Sequence, residues 1–343
     1  MVVHFSTDKT WNLRTKTAHD FFCNIDANNQ VHAMVRSRLT PQIKAVLVNR
    51  APSLWEGGDN RKIGQLLRYL PSCGVDATFR SYLSGGEFAD IIHIFHISYP
   101  SSYQAFQTIN ETKIPLVVST IYSGEKIDRT QQQKIVDRAS VVLCLSQHEA
   151  DYVCSRLVIE RDKICIIPNG IDPIFDVEPM AGEYVLCVGR IHPQKNQLNL
   201  AKACKALYLP LICIGQIMDA YYAEQIESEG AIMLPNREQN ELVSFYQKAQ
   251  VVACVSLHEV HPNVVLEGGV AGANIILTNQ SLSFMDGLPN TWFCPTSVEG
   301  IASVLAEAWY APKNNNLKHL IRERTWGKIA QSYAGIYRKT INV

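Results

Sequence analysis

No apolar run in this chain approaches the roughly 18 residues that a membrane-spanning helix needs. The first 22 residues, MVVHFSTDKTWNLRTKTAHDFF, also lack the continuous apolar stretch of a secretory signal. A cytoplasmic chain, free or peripherally attached to a membrane, is therefore expected. Net charge is missing too. Lys+Arg and Asp+Glu number 32 each, so no global basic field exists to hold nucleic acid or an acidic membrane. There are ten cysteines but no CxxC pair, which removes zinc-ribbon and thioredoxin readings. Five of them lie inside apolar runs (VVLCLS, KICII, VLCVG, LICIG and VVACVS), where cysteine behaves as a small buried hydrophobe. A disulfide framework would be unusual in such a chain. No G-x-G-x-x-G opens a helix after any apolar run, so a nicotinamide-binding Rossmann enzyme has no support.

What is present is a repeated alternation. At 343 residues, 47% hydrophobic and 19% charged, the chain is globular and long enough for two domains. Val/Ile/Leu-rich runs occur at 43–50, 90–95, 114–120, 140–146 and 163–168. The pattern restarts at 183–189, 209–215, 231–235, 250–256 and 273–279. These runs are continuous rather than alternating, as in parallel strands covered by helices on both faces. Polar helical patterns between them predict two doubly wound α/β domains. The predicted boundary is FDVEPMAGE, 175–183, giving a first domain over 43–178 and a second over 179–325. Residues 1–42 do not fit the alternation and form an extension assigned to the first domain. Ser146 with Glu149 predicts a capping box, Asp59 a cap after Gly57-Gly58, and Pro262 the first turn of a helix.

Two stretches carry chemistry. HEVHPNVVLEGG (258–269) places Glu259 in the loop after VVACVS and Glu267 in the helix that follows. Ligands of doubly wound sheets bind at the carboxyl ends of strands. A helix N-terminus there offers free N–H groups for a phosphate. Flanking carboxylates suit sugar hydroxyls, because each accepts several hydrogen bonds. An arbitrary glutamate pair is more often a solvated loop and a helix surface, so the pair needs its context. That context is VGRIHPQKNQLNLAKAC (188–204), where a strand ends in Gly189, Arg190 follows, and Lys195 and Asn196 open a helix. Two cations at such a mouth can neutralise a diphosphate.

In order and spacing these motifs resemble a retaining glycosyltransferase of the GT-B fold, family 4 type, over about residues 43–340. EVHPNVVLE is similar to that family's two glutamates with seven residues between. IIPNGIDPIF resembles the segment closing the N-terminal domain, WEGGDNRKIGQLLRYL the glycine-rich loop and first helix, and TWGKIAQSYAGIY the last helices. The resemblance implies two Rossmann-like domains facing each other across a cleft, with a C-terminal helix, 326–343, crossing back to the first. It implies a nucleotide-diphosphate-sugar donor, a glycan, lipid-linked or small-molecule acceptor, and no cofactor. It further implies that Arg190 and Lys195 hold the diphosphate, Glu267 the ribose and Glu259 the donor sugar. The backbone of Pro262, Asn263 and Val264 would lie beside sugar and phosphate. Gly57 and Gly58 would allow close approach, and Pro235 and Asn236 would lie near the base. No metal is required by this picture, and the chain has no Asp-x-Asp motif to hold one.

The chain departs from the family pattern in two places. Tyr122, in STIYSG, stands where the family often has a histidine near the sugar. Asn274 stands where it usually has a proline, and Gly268 and Gly269 cost about 1 kcal/mol each inside a helix. His96, in HIFH, is a candidate for substrate contact rather than for metal. His261 is balanced between touching substrate and opening the helix. Two alternatives stay open: a non-catalytic nucleotide-sugar-binding or scaffold protein, and another GT-B enzyme such as a nucleotide-sugar epimerase.

Overall fold

The computed structural model describes residues 42–50, 58–85, 88–122, 127–281 and 285–342. The expected extension, apart from residue 42, lies outside these residues, as does Gly57. The chain forms two compact units: one takes in the chain up to Pro168 together with Trp326 onward, the other Asn169–Thr325.

The first unit runs β1 (Ile43–Val48), α1 (Gly58–Tyr69), β2 (Val75–Arg80), β3 (Ile91–Phe95), α2 (Pro100–Ile109), β4 (Leu116–Ser119), α3 (Arg129–Arg138), β5 (Val141–Cys144), α4 (Gln147–Cys154) and β6 (Ile164–Ile166). Its sheet has the order β2-β1-β3-β4-β5-β6 and is parallel throughout. Every residue of β3 and β4 is buried, because helices cover both faces. Strand β2 was not foreseen. It sits at the sheet edge and alternates, with Val75 and Phe79 buried and Asp76 and Arg80 exposed, so VDATFR lacks the continuous apolar signal.

The second unit runs β7 (Tyr184–Val188), α5 (Gln197–Ala206), β8 (Leu211–Ile214), α6 (Ala220–Ser228), β9 (Ile232–Leu234), α7 (Gln239–Lys248), β10 (Ala249–Cys254), α8 (Asn263–Val270), β11 (Asn274–Thr278), β12 (Thr291–Cys294), α9 (Val298–Tyr310) and α10 (Asn316–Ile321). Its order is β12-β11-β10-β7-β8-β9, again parallel. The unforeseen β12 is a short edge strand. After α10 the chain rejoins the first unit through α11 (Trp326–Ile341), whose Trp326, Tyr333 and Tyr337 are buried in that unit's core.

The division falls after Pro168, ahead of the 175–183 segment predicted from sequence. Ile171 and Phe175 are the reason, since both are buried in the second unit's core. Ile171 also pairs with the segment leaving that unit, its N–H donating to the Arg324 carbonyl at 2.8 Å. Two cap assignments shift as well. Pro262 is the N-cap of α8, and Asn263 is its first residue. Asp59 lies inside the first turn of α1 and accepts from Asn49 and Arg50. Ser146 caps α4, its Oγ accepting from the Glu149 N–H at 3.0 Å, but the other half of the expected capping box is replaced, the Glu149 carboxylate accepting from the Leu145 N–H at 2.6 Å.

The departures around α8 have structural causes. A Cβ at Gly268 would come within 2.7 Å of Val252 on β10, and one at Gly269 within 2.8 Å of Leu317 on α10. The helix therefore accepts a propensity cost to lie close against its neighbours. Asn274 is fully buried at the start of β11. Its Nδ2 donates to the carbonyls of Ala308 and Ala311 at 2.7 and 2.9 Å, and its Oδ1 accepts from Asn290 at 2.7 Å. A proline could make none of these bonds. Replacing Asn274 with alanine removes all three bonds, and although the Ala311 carbonyl keeps Gln250 and Asn290 keeps the Pro312 carbonyl, it is expected to cost about 1–3 kcal/mol. Urea unfolding of the two proteins checks this, and an unchanged midpoint would refute it.

Candidate active site

In the second unit the strand order reverses between β7 and β10, parallel neighbours whose onward connections run toward opposite edges of the sheet. Loops leaving the carboxyl ends on either side of such a point frame a crevice. Here they are the loop after β7, with Gly189, Arg190 and Lys195, and the loop after β10, with Glu259, His261 and Pro262.

Backbone geometry draws the two loops together. Gly189 has φ +152°, which disfavours any side chain. A Cβ at Gly215, at the end of β8, would strike the Gly189 carbonyl. The Leu257 N–H donates to the Gln194 carbonyl at 2.9 Å. Asn169, just inside the second unit, donates from Nδ2 to the His261 carbonyl at 2.9 Å and holds the approach to α8. Gln197 donates to the Arg190 carbonyl at 2.8 Å.

The result is an ion pair between Lys195 Nζ and Glu259 Oε2 at 2.6 Å, across 64 positions of sequence. Both side chains remain partly exposed, at 24% and 19%. Burial opposes the charge on Lys195, but the Glu259 carboxylate outweighs it and holds the ammonium above the ordinary lysine range. Arg190 is close enough to act electrostatically on Lys195, and its guanidinium has no carboxylate partner among the described residues. No side chain caps α8, so its first-turn N–H groups add a positive dipole end. The loops thus bring two cations and a helix N-terminus together, with Glu259 as the carboxylate paired to them among the described residues.

The other predicted residues take varied positions. Glu267 is 3% exposed on α8 and accepts from the Tyr246 hydroxyl at 2.7 Å. His261 is buried before the helix, and the Asn263 Oδ1 is buried without a hydrogen-bond partner among the described residues. Val264 lies in the first turn of α8. Pro235 and Asn236 are exposed between β9 and α7. Asn196 is the N-cap residue of α5, as its place at the helix start predicts; it adopts the left-handed conformation, φ +58°, and its Nδ2 donates to the Thr296 carbonyl at 2.9 Å. That bond ties the loop after β7 to the segment after β12.

The first unit carries its own group where its strand order reverses, between β1 and β3. Arg50 pairs with Asp59 at 3.3 Å and lies 4.9 Å from the centre of the Tyr99 ring. Burial raises the Asp59 pKa, but His96 and Arg50 outweigh it and hold the carboxyl below its usual range. His96 is 4% exposed with φ +73° and meets Tyr99 edge-on. Gly58 is exposed at the start of α1. Tyr122 is 1% exposed, packed in the core against Tyr152 with Arg156 over its ring.

Sequence reasoning missed Asn169, Gln197 and Tyr246. Asn169 sits in the quoted NGID segment, so its turn signal was visible while its partner was not. Among the described residues no group of three or more His, Cys, Asp or Glu could hold a metal ion. The nine described cysteines are free thiols, and no described helix is long and apolar enough to cross a membrane.

Residues 57–175 match the family model Glycosyltransferase Family 4, and residues 175–288 match Glycosyl transferases group 1. The chain belongs to the family 4, group 1 type of glycosyltransferases. Its fold is GT-B. Sucrose-phosphate synthase from Thermosynechococcus elongatus is similar, with TM-score 0.71 and 14% identity over 87% of this chain and 99% of that one. A glycosyltransferase from Rickettsia africae has TM-score 0.71 and 14% identity over 88% and 99%. HepE from Anabaena, solved with UDP, has TM-score 0.67 and 16% identity over 87% and 100%. In sequence, this glycosyltransferase matches no curated protein.

Proposed function

We propose that this glycosyltransferase moves a sugar from a nucleotide-diphosphate-sugar to a glycan, lipid-linked or small-molecule acceptor, with retention of the anomeric configuration. The observation that carries the reading is the Lys195–Glu259 pair beside Arg190 and the uncapped end of α8. Arg190, Lys195 and the helix end bind the diphosphate, and the cations stabilise charge gathering on the leaving nucleotide. Glu259 reaches the donor sugar, and Glu267 the ribose hydroxyls. The backbone from Pro262 to Val264 lies beside sugar and phosphate, with Gly189 keeping the entrance open. Pro235 and Asn236 border the base. HepE solved with UDP and with UDP-glucose supports this donor class. The neutralisation that a divalent metal gives elsewhere comes here from the two cations and the dipole.

A thermal-shift screen of nucleoside diphosphates and nucleotide-sugars, on wild type and Glu267→Ala, tests the donor. A ligand at 100 times its Kd stabilises by about 2.7 kcal/mol. One nucleotide family should shift the wild type, and the variant should lose that shift. No shift with any nucleotide would end the reading. Binding without transfer to any acceptor would favour a scaffold, and interconversion of the donor without acceptor an epimerase.

A further inference from the structure

Tyr246 is the side chain that the proposed chemistry leaves unused and the geometry singles out. It lies near the end of α7 and is fully buried. Its hydroxyl sits 2.7 Å from Glu267 Oε2, joining residues 21 positions apart. A neutral phenol donates and a carboxylate accepts, so this is a short, charge-assisted bond. Its ring cannot swing, because Phe175, itself fully buried, meets it edge-on at 5.4 Å and 89°.

The helix beneath it is fixed at both ends. Glu241 reaches back to the Glu238 N–H at 3.0 Å as part of a capping box. Tyr184 donates to the Phe245 carbonyl at 3.1 Å. A tyrosine needed only to fill this core would do so equally as phenylalanine. The added hydroxyl goes to the one carboxylate on α8.

We infer that Tyr246 is a positioning residue for nucleotide recognition: it fixes the plane of the Glu267 carboxylate so that a ribose diol is gripped in one geometry. The inference rests on the proposed role of Glu267. The hydroxyl occupies one of the carboxylate's roughly four lone-pair sites and so fixes the orientation of the carboxyl plane. Because α7 starts directly after the Pro235–Asn236 segment, one rigid helix links the proposed base contact to the ribose contact.

The test is calorimetric titration with UDP, 2′-deoxy-UDP and 3′-deoxy-UDP, with the ADP series in parallel. Wild type should bind the ribonucleotide about tenfold more tightly than the deoxy forms, the worth of roughly one hydrogen bond. Tyr246→Phe, which keeps the ring packing, should lose most of this discrimination. Its affinity for deoxy forms should hold within about twofold, and its donor KM should rise with kcat little changed. Glu267→Gln should lose the same discrimination, and the double variant no more than either single, as for residues acting as one unit. Equal loss for ribo and deoxy forms would make Tyr246 merely structural and overturn the inference, as would full discrimination in Tyr246→Phe. Full discrimination in Glu267→Gln would instead remove the ribose role of Glu267, and the inference with it. A wild type that binds no nucleotide would overturn the donor reading and both roles.

Discussion

Replacing Lys195 by alanine is expected to lower turnover by about 10²–10³-fold, the usual cost of removing one preorganised group that faces developing charge. Thermal stability should change little, because a partly exposed ion pair contributes about 0–1 kcal/mol. Glu259→Gln separates the two halves of the pair. Removing the carboxylate 2.6 Å from the ammonium takes away a negative charge that would repel an incoming diphosphate. UDP should then bind at least as tightly as to wild type, while sugar transfer falls. Lys195→Ala should weaken UDP and slow transfer together. Titration calorimetry and initial rates on the three proteins would decide it. Turnover within about tenfold of wild type in Lys195→Ala would remove the lysine from charge stabilisation.

Lys62→Met should stabilise the protein, against the ordinary direction of core substitutions. Lys62 is 1% exposed on α1, and its Nζ has no hydrogen-bond partner among the described residues. It lies 5.4 Å from the centre of the Tyr333 ring. Burial pulls its pKa down to about 7, although the Glu149 charge works in the opposite sense. Glu149 does not depend on the lysine for its bonds. It accepts from Leu145 N–H at 2.6 Å, the Thr120 hydroxyl at 2.6 Å and Tyr122 N–H at 3.0 Å. A further titratable neighbour, besides Tyr333, is His93, which burial, with Lys62 adding to it, holds well below its usual range. His93 is bonded to Tyr337 and Ser119 at 2.7 and 2.9 Å.

The pH dependence follows from where the proton sits. In the folded chain Lys62 releases its proton near pH 7, and in the unfolded chain it keeps it to about 10.5. Between those values the unfolded state binds more protons, so the lysine makes stability rise with pH across this window. Below pH 7 the full penalty of the buried charge applies. Lys62→Met should therefore gain most at and below pH 7, by about 1–4 kcal/mol. The gain should shrink toward pH 10. Unfolding midpoints of both proteins at several pH values measure this. A destabilised variant at pH 7, or a gain that does not shrink as pH rises, would refute it.

Strands buried on both faces announce themselves in sequence. Every residue of IIHIF and NIILT is buried in the structure, and such runs can persist only inside a sheet covered on both sides. Gly189, Arg190, Lys195, Glu259 and Glu267 were legible for a related reason. Their chemistry depends on residue type and on position at a strand end or helix start, which are local properties. Edge strands such as VDATFR were not legible, because one wet face breaks the apolar run.

What sequence alone determined was the two-block α/β alternation and the residues able to carry charge chemistry at strand ends. Tertiary structure alone decided their company: Glu259 against Lys195, Tyr246 on Glu267, Asn196 on Thr296, Asn274 across three partners, and Tyr122 and Lys62 buried in the first unit. The physical reason is range. Propensity, capping and apolar runs act over a few neighbouring residues. A hydrogen bond across 64 or 100 positions exists only once the sheets have set which loops meet.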